Sequence, residues 1–267
     1  MQKTFYLLSL VVCFVPGLVN AQERLRLATT TSTDNSGLLA VLHPPFEKQY
    51  EINVDVIAVG TGKALRLGEN GDVDVVMVHA PAAEISFVEK GYGVERLPVM
   101  HNDFIILGPQ DDPAGLGEAT TLNQALQKLS ASGSHFVSRG DDSGTHKKEM
   151  SLWRAAGKSP EGNWYMAAGQ GMGAVIQIAN DKHAYTLSDR GTYLAHKDKI
   201  GLTPVFEGDT ELFNPYHVII VNPEKHPHVN TGLAQKYVDF IRGEAGQKII
   251  REFKKGGELL FKPDVIE

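Results

Sequence analysis

Apolar and polar positions alternate along the chain in blocks that predict strands and helices in turn. Arg24–Ala28 alternates polar and apolar residues, as a strand with one buried face does. Residues 73–78 form a nearly continuous apolar run, which is typical of a strand buried on both faces. Between these two strands, the apolar positions from 38 to 46 recur at helical spacing. This β–α–β order predicts an α/β protein with mainly parallel sheets flanked by helices.

The same periodicities extend over the rest of the chain. Further strands are predicted at residues 52–59, 102–107, 135–138, 184–187 and 217–221. Further helices are predicted at residues 61–68, from 81, and at 121–129, 145–156, 173–180 and 233–253, the last with a break near Gly243. Because no segment resembles a linker, we expect two lobes joined by crossing strands. Lobe 1 would comprise residues 22–106 and 215–267, and lobe 2 residues 107–214, with a ligand bound in the cleft between them.

The first 21 residues have the features of a signal peptide. Lys3 precedes the apolar run Phe5–Val15, which is too short to cross a membrane. A small residue, Ala21, ends the segment, so we expect cleavage after Ala21 and a secreted mature chain. The only cysteine, Cys13, lies within this segment, so the mature chain would contain no disulfide. Residues 10–13 faintly resemble a lipoprotein cleavage box, and lipid anchoring stays open beside the favoured simple secretion.

Composition and charge narrow the classes of function. Hydrophobic residues make up 42% of the chain and charged residues 22%, which excludes a mostly disordered or fibrous chain. The formal net charge of -6 argues against capture of nucleic acid or an anionic membrane by the overall field. If the protein binds an anion, a local site must hold it.

A segment rich in hydroxyl groups, residues 29–37, lies between the first predicted strand and the following helix. Hydroxyls and free backbone N–H groups at the positive end of a helix dipole are the features of an oxyanion site. A capping loop without a ligand, in which Ser36 caps the helix, is the alternative interpretation.

A second segment, residues 138–146, repeats this strand–hydroxyl–helix arrangement and adds an arginine. Arg139 supplies a forked, permanently charged donor. Ser143 and Thr145 lie at the predicted helix start, where Gly144 lets the backbone approach a ligand closely. A helix cap with a surface ion pair is the alternative. Two such segments in one chain favour an oxyanion site over two unrelated caps.

These segments resemble the tungstate-binding periplasmic proteins of ABC transporters. The resemblance extends over residues 29–32, 35–39, 60–65, 102–104, 108–109 and 138–146. It implies a type II periplasmic-binding fold, in which two lobes close on a tetrahedral oxyanion. We expect a monomeric periplasmic binding protein without enzymatic activity, cofactor or metal cation, which delivers its oxyanion to a membrane permease.

The resemblance implies that ligand contacts come from Thr30, Thr31, Ser32, Arg139 and Thr145. The predicted set is completed by four residues of the same segments and by a second arginine: Thr61, Ser138, Ser143, Gly144 and Arg190. Arg190 follows a strand and precedes a helix, so it is either a second cationic clamp or part of an ion pair. The glycine-rich turn at residues 169–173 either approaches the ligand through its backbone or belongs to a hinge.

The choice of anion follows from protonation chemistry only in part. Tungstate and molybdate accept hydrogen bonds only near neutral pH, whereas phosphate still carries protons and benefits from a carboxylate acceptor. Asp34, Asp141 and Asp142 therefore keep phosphate open, and sulfate and molybdate stay open as well. Tungstate is preferred on the resemblance. Because arginine and hydroxyl groups do not titrate between about pH 6 and 9, the predicted affinity is nearly flat over that range.

Two enzyme classes are the alternatives to a binding protein. A hydrolase would use Ser143, but the sequence contains no G-x-S-x-G elbow and no upstream histidine motif. A metalloenzyme would use His226 and His228, yet no third ligand is near them in the sequence. A secreted oxyanion sensor on the same fold stays open.

Overall fold

A computed structural model describes residues 23–265, in which strands and helices alternate much as predicted. The predicted signal peptide and its cleavage site lie outside these residues. The strands are β1 Arg24–Thr30, β2 Asn53–Val59, β3 Val75–Val78, β4 Gly93–Gly108, β5 Phe136–Ser138, β6 Tyr165–Ala167, β7 Thr186–Asp189, β8 Thr203–Phe206, β9 Phe213–Val221, β10 Lys254–Lys255, β11 Glu258–Leu259 and β12 Lys262–Pro263. The helices are α1 Thr31–Ser36, α2 Leu39–Tyr50, α3 Thr61–Asn70, α4 Pro81–Glu89, α5 Leu122–Ser132, α6 Gly144–Ala155, α7 Met172–Asp181, α8 Arg190–His196, α9 Thr231–Arg242 and α10 Glu244–Glu252. Among these helices, none combines the length and the apolar composition that crossing a bilayer requires.

The central sheet is mixed, which differs from the mainly parallel sheets predicted. Strand β1 pairs in parallel with β2 and β3. Strand β9, however, runs antiparallel to both β3 and β4, and β4 also pairs antiparallel with β7, β8 and β12. The small β5–β6 sheet is parallel. Antiparallel pairing prevails because β4 and β9 carry the chain in opposite directions between the two halves of the molecule.

Strand β4 is much longer than its predicted part, residues 102–107. It begins at Gly93, and its register with β9 shifts between Gly93 and Arg96 and again between Pro98 and Met100. Proline has no N–H to donate to a sheet, and bulges interrupt the alternation of buried and exposed side chains. Because of these irregularities, the hydrophobic periodicity did not predict the first half of β4.

Apolar side chains form separate clusters in the two halves of the molecule. Leu27 and Phe46 belong to a cluster between the β1–β3 sheet and helices α2 and α9. Trp153 and Val175 belong to two other clusters, built around the second half of β4 and β7. This layout agrees with two lobes joined by β4 and β9, and the exact boundaries stay a prediction. Leu194, from the range predicted for lobe 2, packs into the first cluster.

Candidate functional site

The first hydroxyl-rich segment is a strand end followed by a short helix. Thr29 and Thr30 are the last residues of β1, and both are buried. The Thr30 side chain caps α1, because its Oγ1 accepts a hydrogen bond from the N–H of Thr33 at 3.2 Å. Ser36 was expected to cap the next helix. Its hydroxyl instead donates to the Thr33 carbonyl at 2.6 Å and accepts from the Leu38 N–H at 3.1 Å.

A histidine that sequence reasoning missed lies against these hydroxyls. His79 Nε2 is 3.2 Å from Thr30 Oγ1 and 3.2 Å from Ser32 Oγ. The two hydroxyl oxygens are 3.0 Å apart, and Thr30 Oγ1 is 2.7 Å from Thr33 Oγ1. His79 directly follows β3, which runs parallel to β1, so both strands bring polar residues to the same edge of the sheet. Its position after a buried strand was the signal that could have revealed it.

The other side of the His79 ring is held by a buried polar network. Its Nδ1 is 2.9 Å from Asn214 Oδ1, and Asn214 Nδ2 donates to Asn102 Oδ1 at 2.7 Å. The ring stacks on Tyr216 with 4.6 Å between ring centroids. Only 6% of His79 is exposed. Burial lowers the pKa of His79 below its ordinary value, because an imidazolium loses its hydration there.

The second segment begins with a serine that faces a buried glutamate. Ser138 Oγ donates to Glu149 Oε2 at 2.7 Å, and Tyr165 Oη donates to the other carboxylate oxygen at 2.7 Å. Burial raises the pKa of Glu149 above its ordinary value. The hydroxyl hydrogen of Ser138 is therefore directed toward Glu149.

Arg139 is held in place by a neighbouring carboxylate. Its Nη2 and Nε donate to Asp141 Oδ2 at 2.6 and 3.1 Å, and the Ser143 N–H donates to the other oxygen at 3.2 Å. Burial acts to raise the pKa of Asp141, but the bonds from Arg139 and Ser143 outweigh it and hold that pKa below its ordinary value. Within residues 23–265, Arg139 Nη1 has no protein acceptor. This edge of the guanidinium is available to a ligand.

The start of α6 approaches the start of α3. Ser143 caps α6, since its Oγ accepts from the His146 N–H at 3.3 Å. Thr61 and Thr145 are both buried. A methyl group at Gly144, the first residue of α6, would lie 3.2 Å from Thr61 Oγ1. Because α3 packs on the β1–β3 half and α6 on the other half, this contact joins the two halves.

A cavity of about 590 Å³ collects residues from both halves of the molecule. It is lined by Thr31, Ser32, Asn35, Ser36, Arg139, Gly171, Met172, Gly173, Ala174, Gly191, Thr192, Ala195 and His196. The structure thus brings the predicted residues Thr31, Ser32 and Arg139 together. Other predicted residues do not line this cavity: Thr30, Thr61, Ser138 and Thr145, which are buried, and Ser143 and Gly144.

Helix α7 presents its N-terminus to this cavity. The helix begins after Gly171, which forms no side-chain cap, and its first residues line the cavity wall. The first N–H groups of a helix have no partners within the helix, and they lie at its positive end. This geometry is compatible with the first of the two predicted roles of the glycine-rich turn, an approach to the ligand by backbone, which stays a prediction.

Arg190 lies outside the cavity lining, although its neighbours Gly191 and Thr192 belong to it. Its Nε and Nη2 donate to the two carboxylate oxygens of Asp103, each at 2.6 Å, and Nη2 also lies 2.7 Å from Glu207 Oε2. Hydrogen bonds from the guanidinium to Asp103 raise the pKa of Arg190. Because two carboxylates bind this guanidinium, Arg190 lies in the ion pair that was one of its two predicted roles, and not in the position of the predicted clamp.

The residues that a hydrolase or a metalloenzyme would use have structural partners. His226 Nε2 and His228 Nε2 contact the backbone carbonyls of Glu69 and Gly71 at 2.9 and 2.8 Å. In the described part of the chain, no three metal-ligating side chains converge. The Ser143 hydroxyl serves as a helix cap.

Comparison with known proteins agrees with this geometry. The PBP superfamily domain matches residues 20–244. The tungstate-binding protein TupA of Peptoclostridium acidaminophilum is 48% identical over 248 residues, 91% of this chain and 87% of that protein. Among solved structures, the tungstate-binding protein TupA of Desulfovibrio alaskensis G20 is 47% identical with a TM-score of 0.84, covering 91% of this chain and 100% of that one. The tungstate ABC transporter structure from Geobacter sulfurreducens is 57% identical with a TM-score of 0.80, covering 86% and 99%. The type II periplasmic-binding fold is confirmed, and the chain belongs to the PBP superfamily, in the same family as the TupA proteins.

Proposed function

We propose that this chain is an extracytoplasmic solute-binding protein that captures tungstate and delivers it to the permease of an ABC transporter. One observation carries the proposal: hydroxyls of Thr31 and Ser32, the guanidinium of Arg139 and the N-terminus of α7 surround a single cavity. The names of the relatives support tungstate as the anion. The N-terminal signal features support export, with cleavage after Ala21 and a periplasmic location.

The site favours an anion that only accepts hydrogen bonds. The hydroxyl, guanidinium and backbone N–H groups around the cavity are hydrogen-bond donors. The carboxylates that would accept a phosphate proton are engaged or remote: Asp141 bonds to Arg139 and Ser143, and Asp142 pairs with Lys147 at 3.1 Å. Asp34 is exposed and lies outside the cavity lining. Tungstate, molybdate and sulfate share this acceptor-only character, and phosphate fits the site less well.

An anion in this cavity would touch both halves of the protein. Thr31 and Ser32 follow β1 in one half, and Arg139 follows β5 in the other. A ligand shifts an open–closed equilibrium only through contacts that differ between the two states. Bridging contacts of this kind favour the closed state, which would then dock on the permease.

Titration calorimetry of the mature chain, residues 22–267, with tungstate, molybdate, sulfate and phosphate tests the proposal. We expect one saturable site for tungstate and markedly weaker binding of phosphate. Arg139→Ala should weaken tungstate binding by about 2 kcal/mol or more, because a desolvated charge pair loses one partner. Arg139→Lys should recover only part of the loss, because the fork geometry is missing.

Arg154→Ala provides the matched control for this charge change. Arg154 is exposed on α6, so its removal should leave tungstate affinity unchanged. The absence of binding for all four anions would contradict the proposed function. Unchanged affinity in Arg139→Ala would remove this arginine from the site.

A further inference from the structure

The hydrogen-bond partners of His79 determine which of its two ring nitrogens carries a hydrogen. Asn214 directs its Nδ2 to Asn102 Oδ1 at 2.7 Å, so its Oδ1 faces the His79 ring. The ring nitrogen Nδ1, 2.9 Å from that oxygen, must therefore carry a hydrogen and donate it. A neutral His79 then has no hydrogen on Nε2.

This tautomer affects the hydroxyls at the cavity. Without its hydrogen, Nε2 accepts from the hydroxyl of Thr30 or Ser32, each 3.2 Å away. A hydroxyl that donates to the ring has no second hydrogen for an anion. A charged His79 reverses the polarity, because Nε2–H donates to a hydroxyl oxygen and leaves that hydroxyl free to donate elsewhere. Ser32 lines the cavity, so charging His79 adds one donor toward an anion there.

Carboxylates and one guanidinium act on His79 from neighbouring elements. Asp189 at the end of β7 and Glu84 on α4 favour the charged ring, and Arg139 opposes it. Glu84 is itself engaged by Arg96 at 2.7 Å and His217 at 3.1 Å. Arg96 therefore partly neutralises the charge of Glu84.

Two lysines approach from α6. Lys147 and Lys148 line a second cavity, of about 410 Å³, which also reaches His79 and Asn214. This cavity offers a path by which His79 exchanges a proton with solvent. In the empty protein, burial and Arg139 favour the neutral ring. A bound dianion adds two negative charges next to the hydroxyls that touch the ring, which favours the charged ring.

We infer that His79 is a positioning residue for the oxyanion: on binding of the dianion it takes up one proton from solvent at Nε2 and turns the Ser32 hydroxyl toward the ligand. This inference rests on the proposed function, since it requires an oxyanion in the cavity. It also predicts that tungstate affinity depends on pH, whereas arginine and hydroxyl groups alone predict an affinity that is nearly constant with pH. Affinity should fall as pH rises through the range where only the occupied site is protonated, by up to about tenfold per pH unit.

Calorimetry in buffers of different ionisation enthalpy measures the proton count directly. Tungstate is the probe, titrated into the mature chain between pH 6.5 and 8.5. We expect net proton uptake in the wild type and none in His79→Gln, which keeps a polar group near the hydroxyls but does not titrate. His43→Gln is the matched control, because His43 is also buried but contacts Tyr237 at 3.0 Å in the core away from the cavity. Its proton count should equal that of the wild type.

Nitrogen-15 NMR of the histidine rings identifies which ring gains the proton. This matters because His196 lines the cavity and His146 lies in the first turn of α6. We expect a neutral His79 protonated at Nδ1 in the empty protein and a charged ring with tungstate. This readout and the wild-type proton count decide the question even if His79→Gln does not fold.

Three results would overturn the inference while leaving the proposed function in place. They are tungstate binding without proton uptake, uptake that persists in His79→Gln, and a new proton found on His196 or His146 instead. Failure of the wild type to bind tungstate at all would contradict the proposed function, and this inference with it.

Discussion

Thr30 and Thr31 carry the same side chain but have different surroundings. Thr30 is buried and caps α1, whereas Thr31 is exposed and lines the cavity. Thr31→Val should weaken tungstate binding about tenfold or more, because a charge-assisted hydrogen bond is lost. Its free energy of unfolding without ligand should change by less than about 1 kcal/mol. Thermal melts and calorimetry on the same variant measure both quantities.

Thr30→Val is the comparison for this substitution. It removes a helix cap, so the free energy of unfolding without ligand should fall by about 1 kcal/mol. If Thr31→Val lost stability and kept its affinity, the first segment would be a capping structure only.

A buried histidine outside the site makes stability depend on pH. Burial lowers the pKa of His43 to about 4, below its ordinary value of 6.5. Between these two values the unfolded chain binds more protons than the folded one, so the free energy of unfolding falls as pH falls. The full effect is about 3 kcal/mol, present above pH 6.5 and lost toward pH 4. Urea unfolding from pH 7 to 4.5 should therefore show a shallower pH dependence in His43→Gln than in the wild type.

His135→Gln controls for the loss of a histidine as such. His135 is exposed, so this variant should keep the wild-type pH dependence. If the free energy of unfolding depended equally on pH in His43→Gln and in the wild type, the lowered pKa of His43 would be contradicted.

At the scale of elements, two glycines have different roles at the junction of helices α9 and α10. Gly243 separates α9 from α10, as the predicted break requires. A methyl group at Gly246 would lie 2.6 Å from Ile241 Cα and closer still to the Phe240 carbonyl oxygen. Gly246→Ala should therefore lower the free energy of unfolding by about 1–3 kcal/mol, because backbone atoms cannot move aside easily.

Gly232→Ala in the first turn of α9 is the matched control. A methyl group there meets nothing closer than Asn230 Oδ1 at 3.8 Å. The substitution should be neutral or stabilise the protein by up to about 1 kcal/mol, since alanine favours a helix. Equal chemical denaturation curves for the two variants would refute the packing argument.

At the scale of the whole molecule, Gly144 lies at the contact between the two halves. A larger side chain there would press on Thr61 across the contact between α6 and α3. Gly144→Val should weaken tungstate binding about fivefold or more, because overpacking costs about 1–3 kcal/mol in the closed state. Small-angle scattering should show a smaller tungstate-induced compaction than in the wild type.

Ala155→Val adds similar bulk at the exposed end of α6 and should leave both readouts unchanged. A Gly144→Val variant that binds and compacts like the wild type would show that this contact does not limit closure.

Local patterns in the sequence determined much of this protein. The alternation of strands and helices follows from periodicities that report which face of each element is buried. The two polar segments were recognisable because each follows a strand directly and precedes a helix. The resemblance at these segments also predicted the family correctly.

The tertiary structure decided which distant groups meet. The direction of β9 beside β4, the contact of His79 with Thr30, and the two carboxylates that occupy Arg190 all depend on segments far apart in the chain. Periodicity describes burial within one element, and it carries no information about which partner lies across the interface. A histidine or an arginine therefore acquires its role only when packing brings a particular hydroxyl, amide or carboxylate within hydrogen-bond distance.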